Sequence, residues 1–556
     1  MCKERKMAKK LKKNGLVEGS MISYISIVIT KILGVLYVIP FYAVIGSGEY
    51  IYASAYTLYN LVLNASTSGV PTAMSILVAD YNTRGRQRTK QKLYRVGLLA
   101  VGSISVFIFL VLQIFAGSFA NFYMSNMGDG AVVNHNSIAN AIRAVSVCLL
   151  FAPFLSVKRG YLQGHNYIAH SSYSQVVEQV VRIAVALGGA YLVVSMLGFD
   201  VGVGVNVALI GAAAGAAIAL LYLQLKTAGS VPSSGSENAV QNEHVPSTKS
   251  LFFKILRYSI PVVIVATSTN LYEIIDMKLI VTALSNILHY SADATQAIAS
   301  TMANWTPKIC MLVSALSMGL TASMVPSITS SFAKKKFGEV NRKFVLSINT
   351  IIVVALPLAI GLSMLSKPVY TLFYANSEYG SYALKVMCFA SVIASVKIVV
   401  CMALQAIGRA RLVCGCTLLG LLINAVLDLP MILLFNLIGL PPYLGAIFAS
   451  IIGYSATIAI AMVSLKKQMR FRYVGIVRTL IKSILPCAAL ILTVFLLKLI
   501  IPIPETRGFM LILVLGLFAA VGAGVYGLVA YKMHLIQDIF GENFLDTILR
   551  KLHIKR

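Results

Sequence analysis

Charge is what this sequence has least of. Asp, Glu, Lys and Arg make up 12% of its 556 residues against 58% hydrophobic, and the mean hydropathy is +0.82. A soluble globular protein of this size is excluded, because its surface would need far more charge. Polar–apolar alternation is missing too. The apolar runs are continuous and about 20 residues long, which excludes a transmembrane β-barrel and specifies helices. Catalytic signatures are absent: there is no H-E-x-x-H, no P-loop, and no Ser/His/Asp set in a soluble domain. With no cytoplasmic domain to hydrolyse ATP, active transport would draw on an ion gradient or the membrane potential. Val201 to Asn206 offers only a G-x-G in an outer loop, which is no nucleotide signal. Neither a cofactor nor a metal is expected. The eight cysteines lie almost all in apolar runs, and Cys414 and Cys416 point in different directions on a helix. They read as small, reduced packing residues. The run after Lys9, Lys10, Lys12 and Lys13 is too long for a signal h-region and lacks a small-residue cleavage site, so the first helix is expected to be retained.

What is present is an all-α integral membrane protein with fourteen apolar spans. They fall at about 20–45, 51–79, 96–117, 137–157, 168–196, 202–225, 258–284, 306–330, 344–366, 382–407, 412–437, 443–465, 479–501 and 508–531. The net charge of +28 does not point to nucleic acid, because the bases sit in short loops. With the N-terminus in the cytoplasm, 37 of the 47 Lys and Arg fall in cytoplasmic segments and only Lys367 and Arg507 in outer loops. That asymmetry predicts both termini inside. Thr227 to Ser250, rich in Ser, Asn, Gly and Pro, has the composition of a flexible linker. The expected organisation is a six-helix lobe over 1–225, a linker over 226–257, a second six-helix lobe over 258–465, and two further helices with a tail over 466–556.

The two lobes resemble each other. A shift of 250 lays Gly69 on Gly319, Arg84 and Arg86 on Lys334 and Lys336, and Lys92 on Arg342. Near span 4 the shift becomes about 244, matching LeuGlnGly at 162–164 with LeuGlnAlaIleGly at 404–408, and Gly-Ala at 211–212 with Gly-Ala at 445–446. Six helices per copy is an even number, so the copies share orientation about an axis along the membrane normal. Transporters of this plan bind substrate where the halves meet. Chance similarity between apolar helices is the alternative.

Span 5 carries the densest polar stripe. Ser171, Gln175, Glu178, Gln179 and Arg182 fall within an arc of roughly 100° at 3.6 residues per turn. A charge deep in the bilayer costs at least ~2.5–3.5 kcal/mol, so such residues face a cavity or a partner helix. Glu178 and Arg182, four apart, can pair with each other, which would make the stripe a seam between helices. A wet path for substrate is the other reading. Lys31 lies near mid-depth in span 1. Glu273 and Asp276 share one face of span 7, with Lys278 just beyond. These acids either pair internally with Lys278 or Lys31, or bind a coupling ion or proton. Asp428, two residues before Pro430, falls where a broken helix would free carbonyls; pairing across to the first lobe is equally open. Lys385 and Lys498 are expected to snorkel to the surface. More bases than acids suits an anionic solute, and a pyrophosphate can be held there by charge-assisted hydrogen bonds. Lys31, Arg182, Lys278, Glu178 and Gln175 are therefore the substrate-binding candidates, and Glu273, Asp276 and Asp428 the ion-coupling candidates.

Arg159-Gly160-Tyr161-x-Gln163-Gly164-His165, followed by Ser174-Gln175-Val176-x-Glu178-Gln179-x-x-Arg182, resembles the signature of the polysaccharide biosynthesis proteins of low-GC Gram-positive bacteria. Those proteins are similar to stage V sporulation protein B and the lipid II flippases, within the multidrug/oligosaccharidyl-lipid/polysaccharide (MOP) exporter superfamily. Thr30-Lys31-Ile32-Leu33-Gly34, Gly69-Val70-Pro71-x-Ala73, Ile275-Asp276 and Val325-Pro326-Ser327-Ile328 add to the likeness, which covers essentially the whole chain. The resemblance implies two six-helix lobes in a V around a central cavity, alternating access, and a lipid-linked saccharide as substrate. It also implies a monomer in the bacterial cell membrane, a possible monovalent coupling ion, and a lipid-tail groove formed by spans 13 and 14. In the lipid II flippases the basic residue of S-R-x-L-G lies in the cavity. Lys31 holds that place here and loses bidentate phosphate binding. The expected function is a flippase moving an undecaprenyl-pyrophosphate-linked peptidoglycan precursor from the inner to the outer leaflet. A flippase for another polysaccharide unit, a cation-coupled multidrug antiporter and a non-transporting scaffold are the competing readings.

Overall fold

The computed structural model describes residues 16–67, 69–124, 134–165, 167–227, 243–374, 376–469, 471 and 473–540. The basic N-terminal residues, residues 228–242 of the expected linker and residues 541–556 lie outside them. The described residues are helical almost throughout, with no strand among them. Two compact units divide the chain, Met1–Asn304 and Trp305–Arg556.

The first unit contains α1 (Leu16–Leu36), α2 (Val38–Ile45), α3 (Glu49–Thr67), α4 (Gly69–Thr83), α5 (Gln87–Ile114) and α6 (Ala116–Met124). They are followed by α7 (His135–Ser146), α8 (Ala152–Gly164), α9 (Ile168–Ala190), α10 (Val201–Thr227), α11 (Thr248–Thr282) and α12 (Ala292–Ser300). The second unit contains α13 (Thr306–Ala333), α14 (Phe337–Met364), α15 (Ser366–Phe373), α16 (Glu378–Ala406), α17 (Ala410–Leu437), α18 (Leu444–Met469), α19 (Val474–Ile500), α20 (Phe509–Lys532) and α21 (Leu535–Phe540). Among the described residues, 13 helical segments are long and apolar enough to cross a membrane. The 28-residue α13 stands where the eighth expected span falls.

Span 1 passes from α1 into α2 through Tyr37, whose N–H reaches Leu33 O and whose carbonyl accepts from Phe41 N–H. Span 4 breaks between α7 and α8, where Pro153 occupies the first turn of α8, a position that has no intrahelical donor to lose. The expectation for span 11 is corrected. α17 runs unbroken through Pro430, because one missing N–H is tolerated when packed neighbours hold the remaining turns.

The internal repeat is visible in backbone detail. α5 and α14 are each 28 residues long and begin and end 250 positions apart. The turns before them match bond for bond. Gly85 donates to Asn82 and Arg86 to Tyr81, as Lys335 donates to Phe332 and Lys336 to Ser331. The left-handed residue of this turn is Gly85 in the first copy, at φ 69°, and Lys335 in the second, at φ 57°. A side chain thus occupies a conformation that glycine adopts without cost. After α8 and α16 the match continues, Tyr167 N–H to Leu162 O corresponding to Arg409 N–H to Leu404 O. The Gly-Ala correspondence does not survive. Gly211 lies mid-helix in α10 against Arg182 O, whereas Gly445 is the second residue of α18 against Met431 O.

α4 and α8 set the frame for the polar seam. A Cβ on Gly160 would meet Pro71 O at 2.5 Å, and one on Gly164 would meet Ser75 O at 2.8 Å, so only glycine permits this approach. Val70, Met74, Leu77, Val157, Tyr161, Leu251 and Ile255 fill a shared core there with Leu93 and Val96 of α5. On α5, Glu243 caps the helix, accepting from Arg88 N–H and Thr89 N–H at 2.8 Å each, while Lys92 Nζ donates to Pro246 O. Slight burial works against the Glu243 charge. The Thr89 side chain, the two N–H groups and Arg86 outweigh it and hold the carboxyl below its usual range.

Candidate substrate site in the first unit

α8 and α9 form an antiparallel pair closed by a short turn, so residues equidistant from the turn face each other. Gln163 Nε2 donates to Ser171 Oγ at 3.0 Å, and Arg159 Nε donates to Ser174 Oγ at 2.7 Å. One helical turn further, Arg159 Nη2 lies 2.8 Å from Glu178 Oε2, with both side chains less than a quarter exposed. The contact is an ion pair rather than an aligned hydrogen bond, since Nη2 is off the donor direction. The sequence-based pairing of Glu178 with Arg182 is thereby corrected. A partner on the neighbouring helix wins over the i+4 partner because helix packing delivers the Arg159 guanidinium directly to the carboxylate. Gly215 of α10 approaches Glu178 O so closely that a Cβ would stand 2.5 Å from it, which fixes this part of α9 from the other side.

Arg182 is left to the tyrosines. Its Nη2 donates to Tyr56 OH at 2.9 Å, and the guanidinium lies 5.3 Å from the Tyr56 ring and 5.7 Å from the Tyr59 ring. Tyr52 stacks on Tyr56 at 5.1 Å, and Tyr37 OH meets Tyr52 OH at 3.2 Å. Tyr59 OH contacts Cys148 Sγ at 3.4 Å. Tyr37 sits between α1 and α2, while Tyr52, Tyr56 and Tyr59 share one face of α3. Cation–π contacts of this kind contribute about 0.5–2 kcal/mol each, depending on desolvation. None of these partners carries a negative charge. Lys31, half-buried on α1, is close enough for the Arg182 charge to act on it. Two like charges thus lie near one another where α1 packs against α9.

The other candidates lie elsewhere. Gln175 is half-buried on α9, and no contact joins it to the tyrosine cluster. On α11, Asn270 Nδ2 donates to Glu273 Oε2 at 3.3 Å and its Oδ1 accepts from Asn64 Nδ2 at 2.7 Å. Asp276 is near enough for its charge to act on Glu273. Lys278 is exposed. Its Nζ donates to Phe122 O at 2.6 Å and lies 4.9 Å from the Phe122 ring, at the end of α6. In the second unit Asp428 is fully buried. Asn424 Nδ2 reaches its Oδ1 at 3.4 Å and Ser450 Oγ at 3.2 Å. Lys397 of α16 is another buried charge in this unit, 4.2 Å from the Tyr454 ring. It had the same sequence signal as Lys31, a base well inside an apolar span, and was not singled out. The tyrosine cage was also missed, although Tyr52, Tyr56 and Tyr59 recur at helical spacing. Among the described residues no three His, Cys, Asp or Glu converge as metal ligands. The described cysteines are all free, and all but Cys414 are buried.

Comparison with known proteins relates the chain to two families. Residues 16–292 match the polysaccharide biosynthesis protein family, and residues 261–429 match the MatE family. The chain is 28% identical over 549 residues to the lipid II flippase MurJ of Bacillus subtilis (strain 168), covering 96% of this chain and 98% of that one. It is 26% identical to that organism's stage V sporulation protein B over 212 residues, 38% of this chain and 39% of the relative. Among solved structures, lipid II flippase MurJ in an inward closed conformation matches with a TM-score of 0.65 at 13% identity, over 92% of this chain and 99% of that one. An outward-facing MATE multidrug transporter of the MOP superfamily matches with a TM-score of 0.60 at 14% identity, over 83% of this chain and all of the other.

Proposed function

We propose that this chain, which belongs to the MOP exporter superfamily and within it to the lipid II flippase-like family, carries a lipid-linked, pyrophosphate-bearing peptidoglycan precursor from the inner to the outer leaflet. One observation carries the reading: Lys31 and Arg182 stand together in the first unit, with Arg182 partnered by tyrosines rather than by Glu178. A pyrophosphate brings the negative charge that such a pair favours, and Lys31 supplies a compact ammonium donor to it. The tyrosines hold Arg182 in place while leaving its charge uncancelled. Gln175 and Glu178 line the same helix and contribute polar surface. The candidates for a monovalent coupling ion are Glu273 and Asp276 in the first unit and, separately, Asp428 in the second. Depletion of the protein is expected to make the lipid-linked precursor accumulate on the cytoplasmic side. Unchanged precursor distribution across the two leaflets would overturn the proposal.

The MatE match and the MATE fold likeness favour one competing reading, export of cationic drugs. A basic pair repels such solutes, and the two readings separate in cells. Loss of the protein is expected to damage the envelope and leave resistance to cationic dyes unchanged. Dye sensitivity with normal wall synthesis would transfer the assignment to drug export.

Orientation is part of the proposal. The distribution of Lys and Arg puts both termini in the cytoplasm. Single cysteines at positions 129 and 378 are expected to react with an impermeant reagent added outside, and those at 88 and 336 to stay protected. Position 129 lies outside the described residues, so position 378, at the start of α16, is the structurally anchored test. Labelling at 88 or 336 from outside would reverse the assignment.

A further inference from the structure

Bases are rare at the ends of the second unit's helices that the proposed orientation puts outside, yet they gather in one corner. Lys498, near the end of α19, donates from Nζ to Met364 O at the end of α14. Lys385 of α16 is close enough for its charge to act on Lys498, and Ser363 Oγ holds the Lys385 carbonyl at 2.8 Å. Three residues beyond Met364, Lys367 opens α15. Its one ion-pair contact, to Glu505, is loose at 4.0 Å, and both groups are well exposed. Along α15, Arg507 Nε donates to Thr371 O at 2.9 Å. Four cations from α15, α16, α19 and the α19–α20 connection thus fall at this end of the second unit, with Glu505 loosely against Lys367.

Orientation signals do not account for this, because bases on the outer face oppose the positive-inside bias. Nor does internal neutralisation of Lys498, since its Nζ is held by the Met364 carbonyl. The surrounding side chains show what the cluster faces. Leu496, Leu499, Ile500 and Tyr382 are 47%, 69%, 75% and 48% exposed. These are surfaces that meet acyl chains, on the same helix ends as Lys385 and Lys498. A free anion has no use for them, whereas a lipid phosphate is held at that depth by its own tails.

We propose that Lys385 and Lys498, flanked by Lys367 and Arg507, form a binding site for the phosphodiester headgroup of an anionic phospholipid in the bilayer leaflet around the second unit. Its assignment to the outer leaflet rests on the orientation argued above; the site itself does not. Native mass spectrometry of the purified full-length protein with phosphatidylglycerol, phosphatidylcholine or undecaprenyl phosphate tests it without any transport readout. Phosphatidylglycerol is expected to be retained selectively. The double variant Lys385→Gln/Lys498→Gln should lower that retention about tenfold or more, from the loss of two charge-assisted contacts. Lys385→Arg/Lys498→Arg should keep it, which separates charge from fold. Lys482→Gln, at the opposite end of α19, should leave it unchanged. Equal retention of phosphatidylcholine, an unaffected double glutamine variant, or preferential retention of undecaprenyl phosphate would each overturn the proposal. The last of these would instead make the corner a resting place for the transported lipid.

Discussion

Lys31→Ala is expected to reduce precursor flipping about ten- to a hundredfold, the scale of one lost charge-assisted hydrogen bond to a phosphate, with membrane abundance unchanged. Lys31→Arg should keep much of the activity because the charge stays in place. Arg182→Gln is expected to lose activity as well and still accumulate, since Glu178 keeps its Arg159 partner. The tyrosine cage supplies the control. Tyr56→Phe removes the hydroxyl that accepts from Arg182 while keeping the ring, so its loss should be smaller than that of Arg182→Gln. The measurements are protein level in the membrane and precursor flipping, taken together for each variant. Full activity in Lys31→Ala and Arg182→Gln would remove both residues from substrate binding and leave the cluster as packing alone.

The Arg159–Glu178 pair should behave in the opposite way. Arg159→Ala leaves a half-buried carboxylate with its cationic partner gone, and Ser174 without its donor. Breaking such a pair costs ~3–5 kcal/mol, a large share of the margin by which most folded domains stay folded. Abundance should therefore collapse. Arg159→Gln/Glu178→Gln removes both charges and keeps hydrogen-bonding capacity toward Ser174, so abundance should recover. Flipping in that double variant then reads the role of the pair. Recovery of abundance and transport together identifies a structural clamp between α8 and α9. Normal abundance of Arg159→Ala alone, by thermal stability of the purified protein or by membrane level, would contradict the burial on which this expectation rests.

Sequence and structure divide the evidence along physical lines. Span positions were legible because hydropathy accumulates locally along each helix and a bilayer demands about 20 apolar residues. The repeat was legible where the turns are tight. The Arg84–Arg86 and Lys334–Lys336 segments coincide because one backbone conformation, with a left-handed residue at 85 and 335, requires the same spacing. It was misread at Gly211 and Gly445, where a small residue serves two different close approaches. Glycines 160 and 164 stood out in the Arg159–His165 motif, but that they let α4 touch α8 is a property of two helices and not of one.

The amino-acid sequence by itself determined a polytopic helical protein, its basic excess, and the presence of charges at Lys31, Glu178, Arg182, Glu273, Asp276 and Asp428 within apolar spans. Which of those charges meet was decided only by the tertiary structure. Within a single helix the i+4 rule offers Glu178 one cation, Arg182. The hairpin of α8 and α9 offers it Arg159, and Tyr56 and Tyr59 on one face of α3 then receive Arg182. Lys278 is drawn away to the Phe122 carbonyl at the end of α6. Local spacing lists the partners a side chain is able to reach along its own helix. In a membrane, where an unmatched charge costs several kcal/mol, helix packing selects among all partners that neighbouring helices present, and that selection is written in no single stretch of the chain.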